Sequence, residues 1–140
     1  MKQARVLPII AALGLAALGL TPLQAQPNTS SGVYTADQAA AGARLYAANC
    51  SGCHGANLRG VSAPALIGNA FTSQWTDEPA SDVYMMMSSN MPPSAPGSLT
   101  RADYLAIMAY ILQQNKYPPG RTPLTEARLK LIKIVSPASS

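Results

Sequence analysis

Cys50-Ser51-Gly52-Cys53-His54 constrains this chain more than any other segment, because it holds the only two cysteines and the only histidine in the sequence. Three positions apart on a helical turn, the two sulfurs share a face, and the imidazole follows four positions after the first. A C-x-x-C-H segment reads as a c-type haem attachment site, in which each thiol forms a thioether to a haem vinyl and the histidine gives a ring nitrogen to the iron. Other readings account for it less well. A thioredoxin-like redox pair needs a strand and helix context that the Ala-rich flanks do not offer. A zinc site needs four ligands. A disulfide across two residues leaves His54 unexplained. The cofactor implied is one haem c, held covalently through Cys50 and Cys53.

A chain of 140 residues and 14.6 kDa, 48% hydrophobic and 11% charged, is bounded to one compact domain and excludes a multidomain enzyme. With aromatic residues at 6% and one close cysteine pair, neither a disulfide framework nor a large aromatic core is the main stabiliser. A haem buried against the Leu, Ile, Val and Met residues supplies the missing core. The formal net charge of +4 includes Lys2 and Arg5. Without them eight basic residues face six acidic ones, a balance of +2 with no basic run, which gives no argument for nucleic acid.

Residues 1–25 read as an export signal: Lys2 and Arg5 form the charged start, Val6 to Leu20 an apolar stretch, and Pro22 breaks it before Leu23-Gln24-Ala25. Cleavage after Ala25 is expected, placing the protein in the periplasm. The competing reading is an uncleaved membrane anchor, since Leu23 is larger than the residue usual three places before the cut. The apolar stretch falls short of the roughly 20 residues that span a bilayer. With no cysteine before Cys50, a lipid anchor on a mature N-terminal cysteine is excluded.

Residues 26–33 have no apolar period and are expected as a flexible leader. Thr35-Ala36-Asp37-Gln38 fits a capping box opening an Ala-rich helix to about Asn49. A helical turn is expected around Phe71 to Trp75, and a helix over Pro79 to Ser89, entered through Asp77 and Glu78 and ended by Pro92, Pro93 and Pro96. Thr100-Arg101-Ala102-Asp103 is a second capping box, with Tyr104, Leu105, Ile107, Met108, Ile111 and Leu112 after it at helical spacing up to about Asn115. Residues 34–116 thus form the domain, and 117–140 a C-terminal extension of ambiguous structure.

Residues Tyr34 to Leu112 resemble the small, helical class I c-type cytochromes. The likeness is strongest at C50-S-G-C-H54-G, P64-A-L, M91-P-P-S-A-P-G-S-L and A109-Y-I-L112. It implies an all-α, cytochrome c-like fold of about three to five helices around one covalent haem, with N- and C-terminal helices crossing. The crossing would set Gly42 and Tyr46 against Ile107 and Tyr110, where glycine allows close approach and aromatic rings lock it. The resemblance also implies a proline carbonyl that accepts the proton of the second imidazole nitrogen, a place Pro64 matches. Trp75 would donate to a haem propionate, as a tryptophan in some relatives does, and Arg59 would neutralise one; ordinary packing or exposure is the alternative for both.

Methionine is the soft ligand available for the sixth iron position, as no second histidine exists. Met108 is spaced as core, and Met85, Met86 and Met87 point about 100° apart on a helix. Met91 differs because Pro92 forces it into an extended conformation and Pro93 stiffens the loop after it. It also resembles the axial-ligand loop of the family. Met91 is the first candidate and one of Met85 to Met87 the next.

Iron closed by His54 and Met91 carries electrons rather than turning over substrate. The resemblance therefore implies a periplasmic one-electron carrier. Residues 91–112 look most like cytochrome domains associated with quinoprotein alcohol dehydrogenases, which points to a dehydrogenase as donor and an oxidase or further cytochrome as acceptor. A fixed haem subunit of a dehydrogenase complex is the alternative. A haem peroxidase or gas sensor is a third reading, for which no distal His or Arg is at hand. Charge divides along the chain: residues 26–115 carry three basic and five acidic residues, and 116–140 five basic against Glu126 alone. Either the tail docks a partner electrostatically, or its Leu124, Leu129, Leu131, Ile132, Ile134 and Val135 fold back on the haem domain.

Overall fold

The structure, a computed structural model, describes residues 25–138. Apart from Ala25, the expected export signal lies outside them. No helix among the described residues is long and apolar enough to cross a membrane.

Among the described residues a short 3-10 turn at Thr29–Ser31 is followed by six α-helices: α1 (Ala36–Asn49), α2 (Ser51–His54), α3 (Asn69–Trp75), α4 (Ala80–Asn90), α5 (Arg101–Gln114) and α6 (Glu126–Leu129). The fold is the all-α, cytochrome c-like arrangement, with α1, α3, α4 and α5 its main helices. Thr35 caps α1 by accepting from the Gln38 N–H at 3.2 Å. The expected return bond from the Gln38 side chain is replaced by a longer-range one. Its amide donates to the Leu124 carbonyl at 2.9 Å and accepts from the Leu124 N–H at 2.8 Å, satisfying a tail peptide that would otherwise lack partners. At α5 the whole capping box forms: Thr100 accepts from the Asp103 N–H at 3.1 Å, and the Asp103 carboxylate accepts from the Thr100 N–H at 3.2 Å. Neither Asp77 nor Glu78 caps α4, whose first turn contains Asp82 instead.

The crossing of α1 and α5 organises the core. A Cβ on Gly42 would overlap the Ala106 carbonyl and crowd the Ile107 N–H, so only glycine permits this approach. One turn on, the Tyr46 and Tyr110 rings meet at 5.4 Å, and the Tyr46 hydroxyl donates to the Gly55 carbonyl at 2.7 Å. Helix α5 is buried nearly all round: besides the expected stripe, Ala106 and Ala109 are covered. It is the central helix of the domain rather than an amphipathic cover.

Residues 26–33 are not the flexible leader expected from their polar composition. Thr29 is fully buried, its N–H donates to the Lys133 carbonyl at 3.0 Å, and its hydroxyl accepts from the Val135 N–H at 3.1 Å. The Lys133 N–H returns to the Pro27 carbonyl at 3.1 Å. Backbone pairing with a segment a hundred residues away orders this stretch, a partnership that local periodicity does not register. On its other side the tail joins the start of α4: Ala80 N–H donates to the Ile132 carbonyl and Ile134 N–H to the Glu78 carbonyl, at 2.8 and 2.9 Å. Leu124, Leu129, Ile132 and Ile134 are buried in the same core as the helices, while Leu131 is exposed. The tail therefore folds back on the domain.

Candidate functional site

Helix α1 stops at Cys50, which leaves helical geometry while its N–H still reaches the Tyr46 carbonyl at 2.8 Å. The Cys50 carbonyl then accepts from the Cys53 and His54 N–H groups at 3.2 and 3.0 Å, closing the single turn of α2. This turn brings Cys50, Cys53 and His54 to the wall of one cavity of about 470 Å³. The cysteines are not joined to each other. Burial pushes the Cys50 thiol up to about 11, so it stays protonated at neutral pH.

The loop after the motif is folded onto it by backbone bonds. The Cys53 carbonyl accepts from Val61, Ser62 and Ala63 at 3.0, 3.1 and 3.1 Å, and the Gly60 N–H donates to the His54 carbonyl at 2.8 Å. Gly60 has φ +84°, and a Cβ there would overlap the Ala63 carbonyl, so the turn requires glycine. The loop delivers Pro64, whose carbonyl oxygen lies 2.8 Å from His54 Nδ1. A carbonyl only accepts, so Nδ1 carries the proton and Nε2 keeps its lone pair for a metal.

Met91, Met86 and Met87 also line the cavity. Met91 ends α4 in the extended conformation that Pro92 imposes, with φ −119° and ψ 148°. Its N–H donates to the Met87 carbonyl at 2.9 Å and its own carbonyl accepts from the Tyr104 hydroxyl at 2.6 Å. Met85 points to solvent, and Met108 is wholly buried away from the cavity.

Two of the residues suggested by resemblance are not brought to the cavity wall. Arg59 is exposed in a turn where its N–H is held by Asn57 Oδ1 at 3.1 Å, and Trp75, at the end of α3, packs half-buried against the core. Sequence reasoning missed the helical wall between the two ligand candidates. Tyr104, Ile107, Ile111 and Asn115 recur at about one-turn intervals on α5 and its cap. Ile107 and Ile111 face the cavity. Asn115 Nδ2 donates to the Leu66 carbonyl at 2.9 Å and Oδ1 accepts from the Gly68 N–H at 3.0 Å, tying the Pro64 loop to α5. The apolar members of this series were legible as core. Nothing within their own neighbourhood marked which loops Tyr104 and Asn115 would hold.

These residues fit a haem c. Two thiols and an imidazole share one wall of a ligand-sized, largely apolar cavity, the imidazole is held in the metal-binding tautomer, and a thioether side chain lies on the same cavity. Among the described residues no group of three or more His, Cys, Asp or Glu is placed to hold a metal ion.

The family described as cytochrome c oxidase, cbb3-type, subunit III matches residues 37–111. Among solved structures, a chain of the sulfane dehydrogenase SoxCD from Paracoccus pantotrophus is similar at 25% identity and a TM-score of 0.58, over 83% of this chain and 68% of that one. No curated protein sequence matches. Neither similarity points to quinoprotein alcohol dehydrogenases in particular.

Proposed function

The chain belongs to the class I c-type cytochrome family described as cytochrome c oxidase, cbb3-type, subunit III, and on that premise we propose that it is a periplasmic one-electron carrier whose iron is closed by His54 and Met91. The observation that carries this reading is the placing of an oriented imidazole and a Pro-fixed methionine on one apolar cavity. Bound haem c supplies a one-electron iron couple. The chain's own residues do the rest. Cys50 and Cys53 would tether the group, and the Pro64 carbonyl holds the His54 ring and would make it a better donor. The Met91 thioether, on the same cavity, would serve as the second protein ligand and close the iron to substrate, and the apolar walls would keep water away, which favours the reduced state. Those walls carry one imidazole, already engaged, and no carboxylate or guanidinium, which suits electron transfer better than peroxide chemistry.

A dehydrogenase as donor and an oxidase or another cytochrome as acceptor remain the partners this reading implies; a quinoprotein alcohol dehydrogenase rests on resemblance at residues 91–112. The likeness to a chain of a sulfane dehydrogenase favours a second reading, in which the protein is a fixed haem subunit of a dehydrogenase. Gel filtration at high salt separates the two. A free carrier elutes as a monomer, and a fixed subunit co-purifies with a larger partner. The shared chemistry is tested by a redox titration with carbon monoxide added to the reduced protein. A single one-electron transition with no rapid ligand binding supports a closed carrier, and rapid binding contradicts it.

A further inference from the structure

Met91 is held by both of its backbone polar groups. The N–H bond to Met87 is the last of α4, but the bond to its carbonyl comes from another helix, from the hydroxyl of Tyr104 at 2.6 Å. Tyr104 is itself buried in the first turn of α5, and its ring lines the cavity. The ring is braced in turn. Tyr84 of α4 meets it edge-on, with ring centroids 6.5 Å apart and planes at 87°. The Tyr84 hydroxyl donates to Glu126 Oε1 at 2.7 Å, and Arg101 reaches Glu126 Oε2 at 3.4 Å. Three helices, one of them the short α6 of the tail, thus converge on the peptide that aims the Met91 side chain.

We propose that Tyr104 is a positioning residue for the Met91 sulfur, and that Glu126 braces it through Tyr84, so that the C-terminal segment helps keep the sixth iron position closed. The proposal rests on Met91 being the axial ligand. A peptide free at its carbonyl can rotate and swing the sulfur away, whereas one held at both ends keeps it in place. A neutral hydrogen bond contributes about 1 kcal/mol net, so losing the Tyr104 hydroxyl raises the population with displaced sulfur roughly fivefold. Carbon monoxide binds the reduced protein only through that population, which makes its association rate a direct readout.

The test uses holoprotein carrying Tyr104→Phe, which removes the hydroxyl and keeps the ring, beside Glu126→Ala, Met91→Ala and Tyr110→Phe as a control facing Tyr46. The measurements are the association rate of carbon monoxide and the weak near-infrared band of sulfur-ligated ferric iron. Tyr104→Phe should bind carbon monoxide roughly fivefold faster and weaken the band, Glu126→Ala should act in the same direction by less, and Tyr110→Phe should match the parent. If Met91→Ala abolishes the band while Tyr104→Phe leaves both readouts at parent values, Tyr104 has only a packing role and the proposal is overturned alone. If Met91→Ala keeps the band, the assignment of Met91 falls and takes the proposal with it.

Discussion

Gly42 of α1 rests directly on the Ala106 carbonyl of α5, leaving no room for a side chain between the two helices. Because α5 also forms the cavity wall through Ile107 and Ile111, this contact fixes where the haem motif at the end of α1 stands relative to that wall. Gly42→Ala should therefore destabilise the protein by about 3 kcal/mol, at the upper end of overpacking costs. Thermal melting of the holoprotein checks this, and a change within about 0.5 kcal/mol would show that the helices can part without penalty.

Two substitutions distinguish the proposed ligand Met91 from the core residue Met108. Met91→Ala should remove the near-infrared sulfur band, lower the reduction potential and admit new ligands while His54 stays bound. Met108→Ala should leave the iron spectrum as it was and cost about 2 to 5 kcal/mol, since Met108 is wholly buried away from the cavity. If Met91→Ala changes none of the three properties, the ligand lies elsewhere, and Met87, on the same cavity, is next to be replaced.

The tail joins a structural part to a charged one. Ile132→Ala should cost about 2 to 5 kcal/mol because its side chain is fully buried. Replacing the exposed Lys116, Arg121 and Lys130 by Gln should leave melting nearly unchanged and flatten the salt dependence of electron transfer with the natural partner, if positive charge steers the encounter. An unaltered salt dependence would confine the tail to its structural part.

Much of this was legible because its signals are local. The haem motif, both N-caps and the Pro-fixed Met91 are each written within a few residues, and the Gly42 and Tyr46 crossing comes from the family likeness together with the need for close approach. The illegible features join distant parts of the chain. Gln38 forgoes its capping bond for Leu124, eighty-six residues away, and Thr29 orders the supposed leader through Val135. Asn115 reads locally as a helix end, and only the fold gives it the carbonyl of Leu66 to hold.

The seam between the N-terminal segment and the tail should weaken in alkali. The Tyr34 hydroxyl donates to the Tyr117 carbonyl at 2.5 Å, and burial pushes its pKa up to about 12; burial raises Tyr117 as well. A raised phenol pKa means that the folded state keeps a proton the unfolded chain loses from about pH 10. The resulting stability is complete below that pH and is lost as pH rises towards 12. Denaturant melts across this range should show the decline, and Tyr34→Phe should make it shallower. A slope identical in the variant would assign the decline to other groups.

Covalent retention of one haem by Cys50 and Cys53 is the property on which the function of this fold depends. It is tested most directly by denaturing the purified holoprotein and extracting it with acidified organic solvent. The colour should stay with the polypeptide, its intact mass should exceed the chain by one haem, and Cys50→Ser or Cys53→Ser should weaken or abolish this retention. Colour passing wholly into the solvent, leaving a polypeptide of unmodified mass, would contradict covalent attachment.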